Sequence, residues 1–100
     1  MCGIAGVFDM RAESSHQELT AAARLMADVQ RHRGPDDSGT WADAASGIGL
    51  GFRRLAIVDL TAAGHQPMES HEGRFVLVFN GEIYNHRALR RSLAGITFLG

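Results

Sequence analysis

The sequence predicts an α+β unit, helices and mainly antiparallel strands packed in layers. Three observations carry this. A capped amphipathic helix begins at Ser15, two strand-like runs flank a turn of small residues at 43–46, and an almost continuously apolar run occupies residues 74–79.

Taken in order, Gly3-Ile4-Ala5-Gly6-Val7-Phe8-Asp9 is short, apolar and glycine-punctuated, the pattern of a buried strand. Ser15-His16-Gln17-Glu18 matches a capping box, in which a hydroxyl and a carboxylate three residues later satisfy free N–H groups. Behind it Leu19, Ala22, Ala23, Met26 and Val29 recur at helical spacing and predict the inward stripe. Gly34-Pro35 predicts the helix end, Gly accepting the left-handed terminal conformation and Pro unable to continue the ladder. Residues 40–42 and 47–52 predict a hairpin. Residues 55–60 read as a strand, followed by a loop through Gly64-His65-Gln66-Pro67. Residues 74–79 read as a strand covered on both faces, running into a sharp Asn80-Gly81 turn. A short helix is expected from near Asn85 with Leu89 and Leu93 inward, and residues 96–99 are expected to open a further strand.

One hundred residues suit a single small domain, able to bury roughly 60–65 % of its unfolded surface. With 45 % apolar and 21 % charged residues the composition is that of an ordinary globular protein. The net charge of −1 supplies no pull toward nucleic acid or an anionic membrane, so neither is expected as a partner. No run approaches the ~20 apolar residues of a membrane span, and the N-terminus lacks the basic start of a signal peptide. Cys2 is the single cysteine and the five histidines lie far apart, so neither a disulfide nor a metal site is expected. The expected compartment is the reducing cytoplasm.

Four places carry candidate chemistry. Removal of Met1 would make Cys2 the first residue, with a thiol and a free α-amine on one residue. An α-amine, whose ordinary pKa is about 7.7–8.0, is a usable base near neutral pH. It can take the thiol proton and return it to a leaving ammonia, the logic of a terminal threonine served by its own amine. Against this, a lone cysteine is most often a small buried hydrophobe. Asn80-Gly81 is the second place. The Asn80 amide and the Gly81 N–H are donors of the kind that hold an oxyanion, each worth about 2.7–4 kcal/mol of barrier, although Asn-Gly is also a common hairpin turn. Arg54 is the third, a fork for a substrate carboxylate, an edge-strand surface charge or a partner for Asp59. Arg53, its neighbour, points to the opposite face of a strand and is expected to face solvent. Arg31-His32-Arg33-Gly34-Pro35-Asp36 is the fourth, read as a structural turn held by Asp36 and the arginines.

Five segments in this order resemble the class II glutamine amidotransferase domain that begins asparagine synthetases. They are Met1-Cys2-Gly3-Ile4-Ala5-Gly6, Arg31-His32-Arg33-Gly34-Pro35-Asp36, Arg54-Leu55-Ala56-Ile57-Val58-Asp59, Gln66-Pro67-Met68 and Asn80-Gly81-Glu82-Ile83-Tyr84-Asn85. The amidotransferases that make glucosamine phosphate or phosphoribosylamine share the terminal Cys-Gly-Ile, but usually differ after their Asn-Gly. The resemblance implies an N-terminal-nucleophile hydrolase, a four-layer αββα sandwich of which residues 1–100 would be the first half, with the synthetase domain absent. It implies that Cys2 attacks the side-chain amide of L-glutamine to give a γ-glutamyl thioester and ammonia. Arg54 would hold the α-carboxylate, with Leu55, Ala56, Ile57 and Val58 lining the pocket. Asn80 and Gly81 would form the oxyanion hole and Glu82 would touch the substrate. This segment would need no cofactor; ATP and magnesium would serve a synthetase domain where aspartate becomes asparagine, in an enzyme that is a candidate homodimer. Phe52 departs from the histidine these enzymes often carry there, and the family's Ser-Asp-x-Glu segment would fall beyond Gly100. The other readings are an inactive truncated fragment that folds poorly or pairs with a complementary chain, and the amidotransferase part of another glutamine-dependent enzyme.

Overall fold

The computed structural model describes residues 2–56 and 61–96. Strands β1 (Gly3–Phe8), β2 (Asp37–Asp43) and β3 (Ile48–Arg54) form an antiparallel sheet in the order β1-β3-β2. Helix α1 (His16–Asp28) lies across one face of all three strands. The described residues are therefore a mixed helix and sheet arrangement, as the α+β expectation has it.

The helix starts where the capping box predicts. Ser15 Oγ accepts the Glu18 N–H at 3.1 Å and the Glu18 carboxylate accepts the Ser15 N–H at 3.0 Å. Its inward stripe is Leu19, Ala23 and Ala27, each at most 2 % exposed. Opposite this stripe β3 offers glycine at alternate positions. A Cβ on Gly51 would stand 2.5 Å from the Ala23 carbonyl oxygen, and one on Gly49 2.8 Å from that of Leu19. Side chains alternate along a strand, so both glycines fall on the helix side and α1 settles directly on the strand backbone. Gly47, with φ of +72°, turns the chain from β2 into β3.

Several expectations change. Val29 is the helix C-cap and 70 % exposed rather than inward, because the helix ends at Asp28. The chain continues in tight turns, with Gln30, Arg33 and Gly34 N–H groups bonding carbonyls three residues back. Gly34 has no left-handed φ. It is glycine because a Cβ there would meet the Arg53 carbonyl carbon at 2.5 Å and Arg54 N at 2.6 Å. Arg53, expected in solvent, is 7 % exposed. It does face opposite to Arg54, but that face is covered: Nε donates to the Gly34 carbonyl at 2.9 Å, and Nη1 meets Asp28 at 3.5 Å. Strand β1 is only partly buried, since Ile4 and Phe8 lie on the face away from α1, 44 % and 65 % exposed.

Beyond the sheet, a 3₁₀ turn (Ala62–Gly64) precedes a two-stranded ladder of β4 (Met68–Glu69) and β5 (Val76–Leu77), then helix α2 (His86–Ser92). The run 74–79 is not a strand covered on both faces. It pairs over two residues, with Phe75 and Leu77 63 % and 53 % exposed. Leu89 and Leu93 are 42 % and 43 % exposed rather than inward. The reason is common to both: among the described residues no helix or first-sheet strand packs on β5 or α2. Leu55 and Ala56 lie outside regular structure, while the rest of the expected strand at 57–60, and Thr97, Phe98 and Leu99 of the last one, fall outside the described residues.

Candidate active site

The site begins at the end of β3. The β1–β3 register sets Gly3 opposite Arg53, so one step further along the ladder Cys2 stands opposite Arg54, on the face away from α1. Its sulfur lies against the main chain of the next residue. The Leu55 N–H donates to Cys2 Sγ at 3.4 Å, and the thiol reaches the Leu55 carbonyl at 3.8 Å. Cys2 is neither sealed in nor fully exposed. An N–H aimed at a sulfur puts a donor where negative charge would form.

The segment Arg31-His32-Arg33-Gly34-Pro35-Asp36 braces this corner. Arg33 Nε donates to the Cys2 carbonyl at 3.3 Å. The Asp36 N–H bonds the Arg54 carbonyl at 2.9 Å, and its carboxylate accepts the Ala56 N–H at 2.8 Å. The structural reading of this segment holds, and it gains a contact with the first residue of the site that spacing did not signal. Gln30 adds a bond from Nε2 to the Ile4 carbonyl at 3.1 Å.

Residues 61–66 cover the other side. Arg54, 8 % exposed, gives Nη1 to the Thr61 carbonyl at 2.6 Å. His65 pairs with Asp37. Burial works to raise the Asp37 carboxyl, but hydrogen bonds from His65 and the Ser38 N–H, with the charges of His65 and Arg54, outweigh it and hold it below the ordinary 3.8. A Cβ on Gly39 would collide with the Gln66 carbonyl, so this loop lies directly on β2. Phe52, on the same face as Arg54, is 1 % exposed.

Cys2, Arg54, Leu55 and Ala56 thus share one corner, whereas Ile57 and Val58 lie outside the described residues. Asn80, Gly81 and Glu82 form an exposed bend after β5, with Gly81 close against the Phe79 ring. Among the described residues no hydrogen bond joins them to Cys2 or Arg54. The link runs through Gln66, whose side-chain oxygen accepts the Phe79 N–H at 2.6 Å and whose amide donates to the Phe79 carbonyl at 3.2 Å. A separate cleft of about 330 Å³ between α1 and β2, bordered by Arg24, Asp28, Arg31 and Arg53, includes none of Cys2, Arg54, Leu55, Ala56, Asn80, Gly81 and Glu82. Among the described residues no cluster of three or more His, Cys, Asp or Glu side chains suits a metal, and no helix is long and apolar enough to cross a membrane.

Comparison with known proteins defines the class. The family model for the glutamine amidotransferase domain matches residues 1–100, and the chain belongs to that family. Within it, the chain is 42 % identical over 93 residues to the Bacillus subtilis glutamine-hydrolysing asparagine synthetase 2, covering 93 % of this chain and 12 % of the relative. It is 45 % identical over 103 residues to a putative glutamine-hydrolysing asparagine synthetase of Mycobacterium tuberculosis, covering 93 % of this chain and 16 % of the relative. To Escherichia coli asparagine synthetase B it is 46 % identical over 90 residues, 90 % of this chain and 15 % of the relative. The chain therefore spans about one sixth or less of these relatives' length. No solved structure matches it.

Proposed function

We propose that this chain is the glutamine-hydrolysing part of an asparagine synthetase, with Cys2 as its nucleophile. The observation that carries the reading is the corner where Cys2 Sγ meets the Leu55 main chain beside buried Arg54.

In this reading the mature chain starts at Cys2. The thiol adds to the side-chain carbonyl of glutamine while its proton passes to the Cys2 α-amine. The carbonyl oxygen gains the negative charge, which the Asn80 amide and the Gly81 N–H hold. The α-amine gives the proton to the amide nitrogen, the C–N bond breaks, and ammonia leaves a γ-glutamyl thioester. Water adds to the thioester carbon, the C–S bond breaks, and glutamate departs with the thiol restored. Arg54 takes the α-carboxylate in bidentate geometry, with Leu55, Ala56, Ile57 and Val58 lining the pocket and Glu82 touching the substrate.

Residues 1–100 are on this reading the front part of an αββα sandwich, whose second sheet covers the face that carries Ile4 and Phe8. The ammonia then serves a synthetase domain that uses aspartate, ATP and magnesium. A free thiol at the first residue suits a reducing cytoplasm.

The test is intact-mass spectrometry of the expressed protein after treatment with the glutamine analogue diazo-oxo-norleucine. The expected spectrum shows loss of Met1 and one adduct on the wild type, none on Cys2→Ala. An adduct of equal yield on Cys2→Ala would end the nucleophile assignment.

A further inference from the structure

The Asn80-Gly81 bend sits on a segment that the sheet does not hold directly. Among hydrogen bonds between described residues, two join residues 67–96 to residues 2–66, and both are made by the Gln66 side chain to Phe79. Gln66 is well placed to anchor. Its own carbonyl lies on Gly39 of β2, its neighbour His65 pairs with Asp37, and Thr61 upstream takes the Arg54 guanidinium. It is therefore fixed to the corner that carries Cys2 and Arg54.

The side chain then treats Phe79 as a strand partner would, satisfying its N–H at 2.6 Å and its carbonyl at 3.2 Å together. The Phe79 carbonyl and the Asn80 N–H belong to one planar peptide group. Fixing the carbonyl direction fixes the peptide plane from which Asn80 departs, the base on which Asn80's own dihedrals then place its side chain and the Gly81 N–H.

We infer that Gln66 is a positioning residue for the oxyanion donors, sitting between the nucleophile's sheet and the bend that bears them. This deepens the proposed function and rests on its assignment of Cys2, Asn80 and Gly81. The geometry distinguishes the two halves of the amide. Gln66→Glu keeps an acceptor for the Phe79 N–H but loses the donor to its carbonyl; Gln66→Ala loses both.

The experiment compares two rates of Cys2 modification in wild type, Gln66→Ala and Gln66→Glu. Diazo-oxo-norleucine needs the glutamine site and its oxyanion donors, whereas iodoacetamide needs only an accessible thiol. A misplacement of about 1 Å in a reacting geometry costs ~100-fold, so Gln66→Ala should lose about that factor with diazo-oxo-norleucine and stay within about twofold of wild type with iodoacetamide. Gln66→Glu should fall between. Amide hydrogen exchange supplies a readout free of chemistry: Phe79 protection should drop in Gln66→Ala and persist in Gln66→Glu. An unchanged diazo-oxo-norleucine rate in Gln66→Ala overturns the inference. So does an equal fall with both reagents, which would make Gln66 a general support for the corner. Labelling of a Cys2→Ala protein by diazo-oxo-norleucine would instead sink the proposed function, whatever Gln66 does.

Discussion

Gly34 offers the sharpest test of how the corner is built. A Cβ at this position would stand 2.5 Å from the Arg53 carbonyl carbon and 2.6 Å from Arg54 N, where ordinary contact begins near 3.4 Å. These are main-chain atoms of β3 and cannot swing aside. Gly34→Ala must therefore separate the segment from the strand by nearly 1 Å. That strains the Arg53-to-Gly34 and Asp36-to-Arg54 bonds, both 2.9 Å, and the Arg33 hold on Cys2 at 3.3 Å. Overpacking of this kind costs about 1–3 kcal/mol, offset by about 0.4–1 kcal/mol from a less flexible unfolded chain. A net loss of about 1–2 kcal/mol lowers Tm by roughly 5–15 °C in a domain of this size. Thermal melts followed by circular dichroism measure it. Gly34→Asn separates the contact from the alternative explanation, because Asn tolerates a left-handed helix terminus but brings the same Cβ. It should be at least as unstable as Gly34→Ala; a melt within about 2 °C of wild type would refute the steric account.

Two further outcomes are expected. Arg54→Lys replaces a planar fork with a point charge, so saturation of Cys2 labelling by diazo-oxo-norleucine should require at least ~10-fold more reagent; an unchanged half-saturation would remove Arg54 from the carboxylate role. Asp37, held below its ordinary 3.8, contributes stability that is present above the unfolded-state value and is lost as pH falls through the lower folded-state value. Asp37→Asn should therefore melt below wild type at pH 6, with a gap that narrows as pH falls below about 3.8 and closes only below the lower folded-state value; a gap that persists undiminished at pH 2 would count against the His65 pairing.

Legibility followed the range of the interaction. The α1 start was readable because Ser15 and Glu18 settle each other's N–H groups within one turn, and the hairpin was readable from two strand-like runs flanking the small-residue turn at 43–46. The faces of Arg53 and Arg54 were also readable, since alternation sets them, but not their surroundings. What covers Arg53 is the Gly34 carbonyl, 19 residues away, and no local pattern announces that. The same limit explains 74–79, where an apolar run suggests burial while burial itself depends on partners from elsewhere. At the site, residue types and motif order brought Cys2, Arg54 and Leu55 forward. Arg33 and Gln66 escaped notice as contributors because each acts on main-chain atoms of a distant residue, which carry no mark in the sequence.

That pattern says something about how the corner works. Cys2 Sγ takes its donor from the Leu55 main chain, Cys2 itself is held at its carbonyl by Arg33, Ala56 hangs from Asp36, and Phe79 hangs from Gln66. Side chains here fix backbone, and at Cys2 it is backbone that presents the donor. Peptide groups are planar and strongly polar, so an N–H held by such struts stays aimed as charge develops without waiting for a rotamer. Electrostatic stabilisation depends on that preorganisation. It follows that changes at Arg33, Asp36 and Gln66 should lower the rate of Cys2 labelling by diazo-oxo-norleucine more than they raise its half-saturation, the reverse of what the proposed function expects for Arg54.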